Sequence, residues 1–333
     1  MSAAAPQLEY LLRPIQRFLD DPGCEDIYCN EPGRLLVRRG AVTTPYGVPE
    51  LDTDTLEDIA ILAGAMRGQD VGRVSPMLAT ELPGGQRLQA VLPPAVANGR
   101  ISLTIRRPND AAPSLDSLQS GGLFNSTRNG IATLSDADQR LLALYRAGDW
   151  LPFFKLAVRS RKTTVAVGEV GSGKTFTTMA FLDAILPEER VVTIEDTAEW
   201  NKLRHPNRVA LFYPKGDSSR ATECLESALR MGPQWVCLQE LRDGASWNFL
   251  RALASGHSGI TTWHARSATE AFDAVCLMVK QHPAGAAISD RDIDRRLRSY
   301  VDVVVHCVRD GSRYSMSEVW FAAAEIDSGR LAA

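Results

Sequence analysis

Residues 168–175 read Gly-Glu-Val-Gly-Ser-Gly-Lys-Thr and fill the pattern G-x-x-x-x-G-K-[ST], a spacing suited to gripping the phosphates of a nucleotide. Glycines let such a loop wrap so that its backbone N–H groups converge on phosphate oxygens, and the N-terminus of the following helix adds partial positive charge. On this reading Gly168, Glu169, Val170, Gly171, Ser172, Gly173, Lys174, Thr175 and Phe176 form the nucleotide-binding loop. Lys174 is expected to reach the β- and γ-phosphates and the Thr175 hydroxyl to ligate Mg²⁺, so ATP and Mg²⁺ are the expected cofactors and ATP hydrolysis the expected chemistry.

Phosphoryl transfer also needs an acid for the magnesium ion, a group that orients the attacking water, and positive charge near the γ-phosphate. Trp235-Val236-Cys237-Leu238 reads as an apolar strand running into Gln239-Glu240, which makes Glu240 the Walker B acid and, with Thr175, a metal ligand. Val191-Val192-Thr193-Ile194 is a second such strand, followed by Glu195, Asp196 and Glu199. Glu195 is the expected general base or water-positioning group, while Asp196 suits either that site or a helix N-cap. His257 and His264 bracket Ser-Gly-Ile-Thr-Thr-Trp and are expected to sense the γ-phosphate or couple it to the rest of the chain.

These groups must be positioned by ordered elements. Short β-branched runs, Thr163 to Val167, Val191 to Ile194, Trp235 to Leu238, Ile260 to Trp263 and Val301 to Val308, alternate with helical patterns from Leu134 onward. That alternation predicts an α/β fold, a RecA-like P-loop domain over 131–333 with a largely parallel sheet. Asp310-Gly311 should turn the chain into a last antiparallel strand, Tyr314 to Phe321. Upstream, Leu8, Leu11, Leu12, Ile15 and Leu19 fall at helical spacing with a kink or restart at Pro14. A hairpin around Asn30-Glu31-Pro32-Gly33, a helix Thr53 to Met66, and strands Gln86 to Leu92 and Ile101 to Arg106 complete a smaller α+β domain over 1–107. Residues 108–130, rich in Pro, Asn, Asp, Ser and Gly, read as the linker.

A length of 333 residues suits two cores, and 44% hydrophobic with 23% charged residues fits a globular chain. The net charge of −3 gives no overall basic footprint, so direct binding of nucleic acid is not expected; the patch Arg291 to Arg298 reads as a solvated helix face or a local contact. The N-terminus lacks the pattern of a secretory signal and no apolar run reaches the length of a membrane span, which points to a cytoplasmic protein with at most peripheral membrane contact. Cys24, Cys29, Cys224, Cys237, Cys276 and Cys307 are scattered, so they read as free thiols.

In order, GEVGSGKT, then TIEDTAEW over Thr193 to Trp200, then WVCLQELR, then SGHSGITTWHA over Ser255 to Ala265 resemble the motifs of secretion traffic ATPases. RLQAVLPPAVANGRISLTIRRP, Arg87 to Pro108, is similar to the end of the N-terminal domain in the VirB-type ATPases of bacterial type IV secretion systems, the eleventh VirB component. The resemblance spans roughly residues 85–320, with the first 80 matching in layout. It implies a homohexameric ring at the cytoplasmic face of the inner membrane, with nucleotide held between the two domains of a subunit. The implied partners are other secretion components: a second ATPase, a coupling protein and the inner-membrane complex. The resemblance also implies roles for Arg87 and Arg107, with Arg106 as a rival, as N-terminal-domain arginines that reach the phosphates, and for Arg242 as the arginine ending the Walker B motif. Gln239 stands where relatives carry glycine. The competing readings are a type II secretion or type IV pilus motor, a DNA-translocating RecA-like motor, and an assembly scaffold stabilised by ATP.

Overall fold

The computed structural model describes residues 4–108, 112–127, 134–243 and 245–331. Its first sheet contains β1 (Asp26–Glu31), β2 (Arg34–Arg39), β3 (Val42–Gly47), β4 (Met77–Glu81), β5 (Arg87–Val91) and β6 (Ser102–Arg106) in the order β3-β2-β1-β6-β5-β4. Every pairing in it is antiparallel. Alternation puts Ile27, Val37, Leu88 and Ile105 on one face, where they share a core with Leu8, Leu12 and Ile15 and with Leu56 and Ile59 of helix Thr53–Ala65. Pro14 lies in a 3₁₀ turn, Arg13–Ile15, that divides the first helical segment into Ala4–Leu12 and Gln16–Leu19.

The second sheet contains β7 (Thr164–Val167), β8 (Val191–Glu195), β9 (Arg208–Phe212), β10 (Trp235–Leu238), β11 (Ser258–Trp263), β12 (Val303–Asp310) and β13 (Arg313–Phe321), ordered β13-β12-β7-β11-β10-β8-β9. All neighbours are parallel except β12 and β13, which form the antiparallel hairpin expected at Asp310-Gly311. A parallel sheet must be covered on both faces, and β7, β8 and β10 are buried along their whole length. One face packs Val165, Val192 and Val236 against Leu225, Phe249, Phe272 and Leu297; the other packs Val191, Trp235 and Ile260 against Leu141, Phe153 and Leu182. Trp235 is fully buried, and its replacement by Ala would cost about 3–5 kcal/mol.

Three strands, β3, β4 and β9, were not expected from the sequence, and each lies at an edge of its sheet. The 108–130 stretch is not uniformly irregular. Its described part holds a short helix, Leu115–Ser120, whose first turn is capped by the Ser114 hydroxyl accepting from Ser117 N–H; residues 109–111 and 128–130 lie outside the described residues.

The two sheets meet around Arg190, which immediately precedes β8 and is 1% exposed. Its guanidinium donates to the Asn207 (2.6 Å) and Asn30 (3.0 Å) side-chain oxygens, Thr104 Oγ1 (3.0 Å) and the Met231 carbonyl (2.7 Å), and lies 3.9 Å from the Tyr28 ring centroid. Burial lowers its pKa to about 10, so the side chain still carries its charge at neutral pH.

Candidate active site

The phosphate loop joins β7 to helix Lys174–Asp183 at the carboxyl edge of the parallel sheet, where α/β folds place ligands. Gly168 has φ 147°, and a Cβ there would sit 2.3 Å from the Cys307 carbonyl oxygen, so no larger residue fits. Lys174 is buried and donates from Nζ to the Gly168 (2.9 Å) and Glu169 (2.7 Å) carbonyls. Burial pulls its pKa below the ordinary lysine value against the opposing pull of Glu240. Beneath the loop, Ser172 Oγ is buried with no hydrogen-bond partner among the described residues. The tight glycine turn, the lysine held by two loop carbonyls and by His264 Nδ1 (3.4 Å), and the unsatisfied hydroxyl all fit a polyphosphate ligand.

A cavity of about 700 Å³ opens on this loop. Its lining includes Lys174, Thr175, Asp196, Glu240, Arg242 and His264, gathered from the carboxyl ends of β7, β8, β10 and β11. His264 bridges the loop to Glu240: Nδ1 lies 3.1 Å from the Gly168 carbonyl and Nε2 lies 3.2 Å from Glu240 Oε1. Arg242 joins Glu240 to Asp196, with 3.0 Å to Asp196. Partial burial would raise the Glu240 pKa, but the Arg242 hydrogen bond, reinforced by the charges of Arg242, His264 and Lys174, holds it below the ordinary value. Glu240 is therefore an ionised acceptor beside the lysine, able to hold a divalent cation or orient a water.

Gln239 has a definite task. Its Oε1 accepts from the backbone N–H of Asp196 (3.1 Å) and Thr197 (3.3 Å), tying the end of β10 to the turn after β8. Thr262 Oγ1 donates to the Gln239 carbonyl at 2.9 Å. Lys215, Thr197, Glu199, Thr262 and Tyr314 also line the cavity. Of these only Glu199 stood beside a sequence motif as a candidate; Lys215 follows the unforeseen strand β9, and Tyr314 is brought in by the β12–β13 hairpin.

Four expected site residues lie elsewhere. Glu195 does not line this cavity. Its carboxylate is 0% exposed and accepts from Arg208 Nη2 (2.5 Å), Thr193 Oγ1 (2.7 Å) and Trp200 N–H (3.3 Å). His257 sits at the opposite end of β11 from His264, since a strand of six residues spans about 20 Å. There its Nδ1 meets the Ala252 carbonyl and Ser255 Oγ at the end of helix Ala245–Ala254, and burial lowers its pKa. Arg87 lies directly across the ladder from Arg106, and both face a separate cavity of about 440 Å³ beside Leu229, Arg230 and Gly232. Arg107 donates to the Asp21 carbonyl at 2.8 Å beside the first helix.

Comparison with known proteins identifies the family. The family described as Type II/IV secretion system protein matches residues 147–313. Protein VirB11 of Agrobacterium fabrum is 40% identical over 326 residues, covering 96% of this chain and 94% of its own. Type IV secretion system protein VirB11 of Brucella suis is 37% identical over 327 residues, covering 95% and 91%. The similarity therefore runs through the N-terminal segment as well, beyond the 85–320 span suggested by the motifs. The crystal structure of the VirB11 ATPase from the Brucella suis type IV secretion system, in complex with sulphate, shares the fold with a TM-score of 0.91 at 37% identity, covering 98% of this chain and 97% of that one. With a RecA-like phosphate loop set in a shared two-sheet architecture, the chain belongs to the VirB11 family of type IV secretion system ATPases.

Proposed function

We propose that this chain hydrolyses ATP at the cavity on the phosphate loop and, as a ring of six, powers substrate translocation or pilus assembly. One observation carries the site: Lys174, Glu240, Arg242 and His264 converge on one cavity at the carboxyl edge of the parallel sheet. Lys174 neutralises β/γ-phosphate charge, and the 168–176 loop supplies backbone donors. Thr175 and Glu240 would hold Mg²⁺, which when bound supplies charge neutralisation to the phosphate oxygens. Glu240 serves the reacting end, held ionised and oriented by Arg242 and His264, and Asp196 is tied to it through Arg242.

The chain divides in this reading into 1–107 and 131–333, joined by 108–130. It acts at the cytoplasmic face of the inner membrane with other secretion components, in keeping with its relatives' names and with the lack of any described helix long and apolar enough to cross a membrane. Whether effector protein, DNA or pilin is moved depends on those partners.

Lys174→Ala tests the site. The purified variant should keep the parent's thermal melt and lose ATP turnover, while the parent's mass by light scattering with ATP and Mg²⁺ should be that of a hexamer. Turnover near the parent rate would overturn the site, and a strictly monomeric mass would overturn the ring.

A further inference from the structure

The strand order gives a direction to anything held by the phosphate loop. Glu240 and His264 follow β10 and β11, on one side of β7, whereas the β12–β13 hairpin lies on the other. Phosphates are gripped at the end of β7, and the reacting end must face Glu240 and His264. The nucleoside end therefore projects towards the hairpin.

Tyr314 stands there. It lines the same cavity, is 58% exposed, and its ring packs so closely on the loop that a Cβ on Gly173 would lie 2.9 Å from Cδ1. Arg309 braces it, with the guanidinium carbon 5.3 Å from the ring centroid while Nε donates to the Gly311 carbonyl (2.7 Å) at the hairpin turn. Phe176, 74% exposed, lines the same cavity at the start of the helix after the loop. Two exposed rings flanking a phosphate-binding loop are apolar surface that a flat aromatic ligand would cover.

We propose that Tyr314, with Phe176, forms the platform on which the nucleobase of the bound triphosphate stacks. This inference rests on the reading of the cavity as the nucleotide site. Stacking uses the π-face that every base presents, so the platform supplies affinity for the base without choosing between adenine and guanine.

The test compares the parent, Tyr314→Ala and Tyr314→Phe with three ligands in the presence of Mg²⁺: ATP and GTP as substrates, and inorganic tripolyphosphate as a competitor without a base. Loss of one stacking platform should raise KM for ATP and for GTP by about 5- to 150-fold, with kcat close to the parent's. The inhibition constant for tripolyphosphate should stay at the parent value, and Tyr314→Phe should restore both nucleotides. An unchanged KM in Tyr314→Ala would overturn the platform. So would tripolyphosphate weakening in step with ATP, because Tyr314 would then be propping the loop at Gly173. A parent that neither hydrolyses ATP nor binds tripolyphosphate would fail one step earlier, at the nucleotide site itself.

Discussion

Replacing Glu195 by alanine should unfold this protein more readily before it affects chemistry. The carboxylate is fully buried, and the Arg208 side chain opposite is 10% exposed. Arg208 also donates to Thr193 Oγ1 (3.1 Å) and to the carbonyls of Trp200 (2.7 Å) and Leu203 (3.4 Å), so it cannot swing into solvent without releasing the 196–203 segment. Removing one partner of a buried pair leaves the other charge uncompensated, at a cost of about 3–5 kcal/mol. In a domain of this size each kcal/mol moves Tm by about 2–4 °C, so the melt of Glu195→Ala should fall by roughly 6–20 °C. Differential scanning calorimetry of Glu195→Ala, Arg208→Ala and the double variant reads the pair directly. The double variant should lose less than the sum of the singles, because it removes both charges. Glu240→Gln, by contrast, should keep its melt and lose turnover. If Glu195→Ala kept the parent's Tm while single-turnover hydrolysis fell by about 10² or more, the size expected for losing a general base, Glu195 would be catalytic and the structural assignment made here would fail.

Two further outcomes separate the residues at the cavity from those outside it. His264→Ala removes a group that joins the loop to Glu240 and should lower turnover by about 10², whereas His257→Ala should leave it near the parent rate; equal losses in steady-state assays would refute the division. Arg242 provides the main pull that keeps Glu240 ionised, and burial alone would raise that pKa. A depressed carboxyl contributes stability that is present above its unfolded value and lost as pH falls through the folded one. Arg242→Ala should therefore move the acid limb of the kcat/KM profile to higher pH, and an unmoved limb would show that Glu240 does not control it.

Much of the site was legible because its signals are local. The phosphate loop is a contiguous octapeptide between a β-branched strand and a helix, and Glu240 follows an apolar run that reads as a buried strand. What escaped lies at sheet edges. β3 contains Pro45 and Gly47 and is mostly exposed or half-exposed, as an edge strand tolerates, β4 alternates only weakly, and β9 alternates over just five residues. Losing β9 meant losing Arg208, and with it the reason for Glu195 to turn inward. Tyr314 was visible as part of a final strand, but its place beside Gly173 depends on β12 pairing with β7, which no local pattern announces.

The inward turn of Glu195 follows from strand geometry. An acid just after an apolar run was expected to project over the sheet edge, but the ladder does not end at Ile194: Glu195 is still paired, with Phe212 of β9. Side chains on a strand alternate, so Glu195 shares its face with Thr193, and that face is buried under the 196–203 segment that Arg208 holds. The first residue past the ladder is Asp196, and it is Asp196 that lines the cavity and reaches Arg242. A shift of one residue in where a strand ends thus exchanges a place on the cavity for a buried ion pair. The acid that continues β8 is tied to Arg208, and the acid that leaves it lines the cavity.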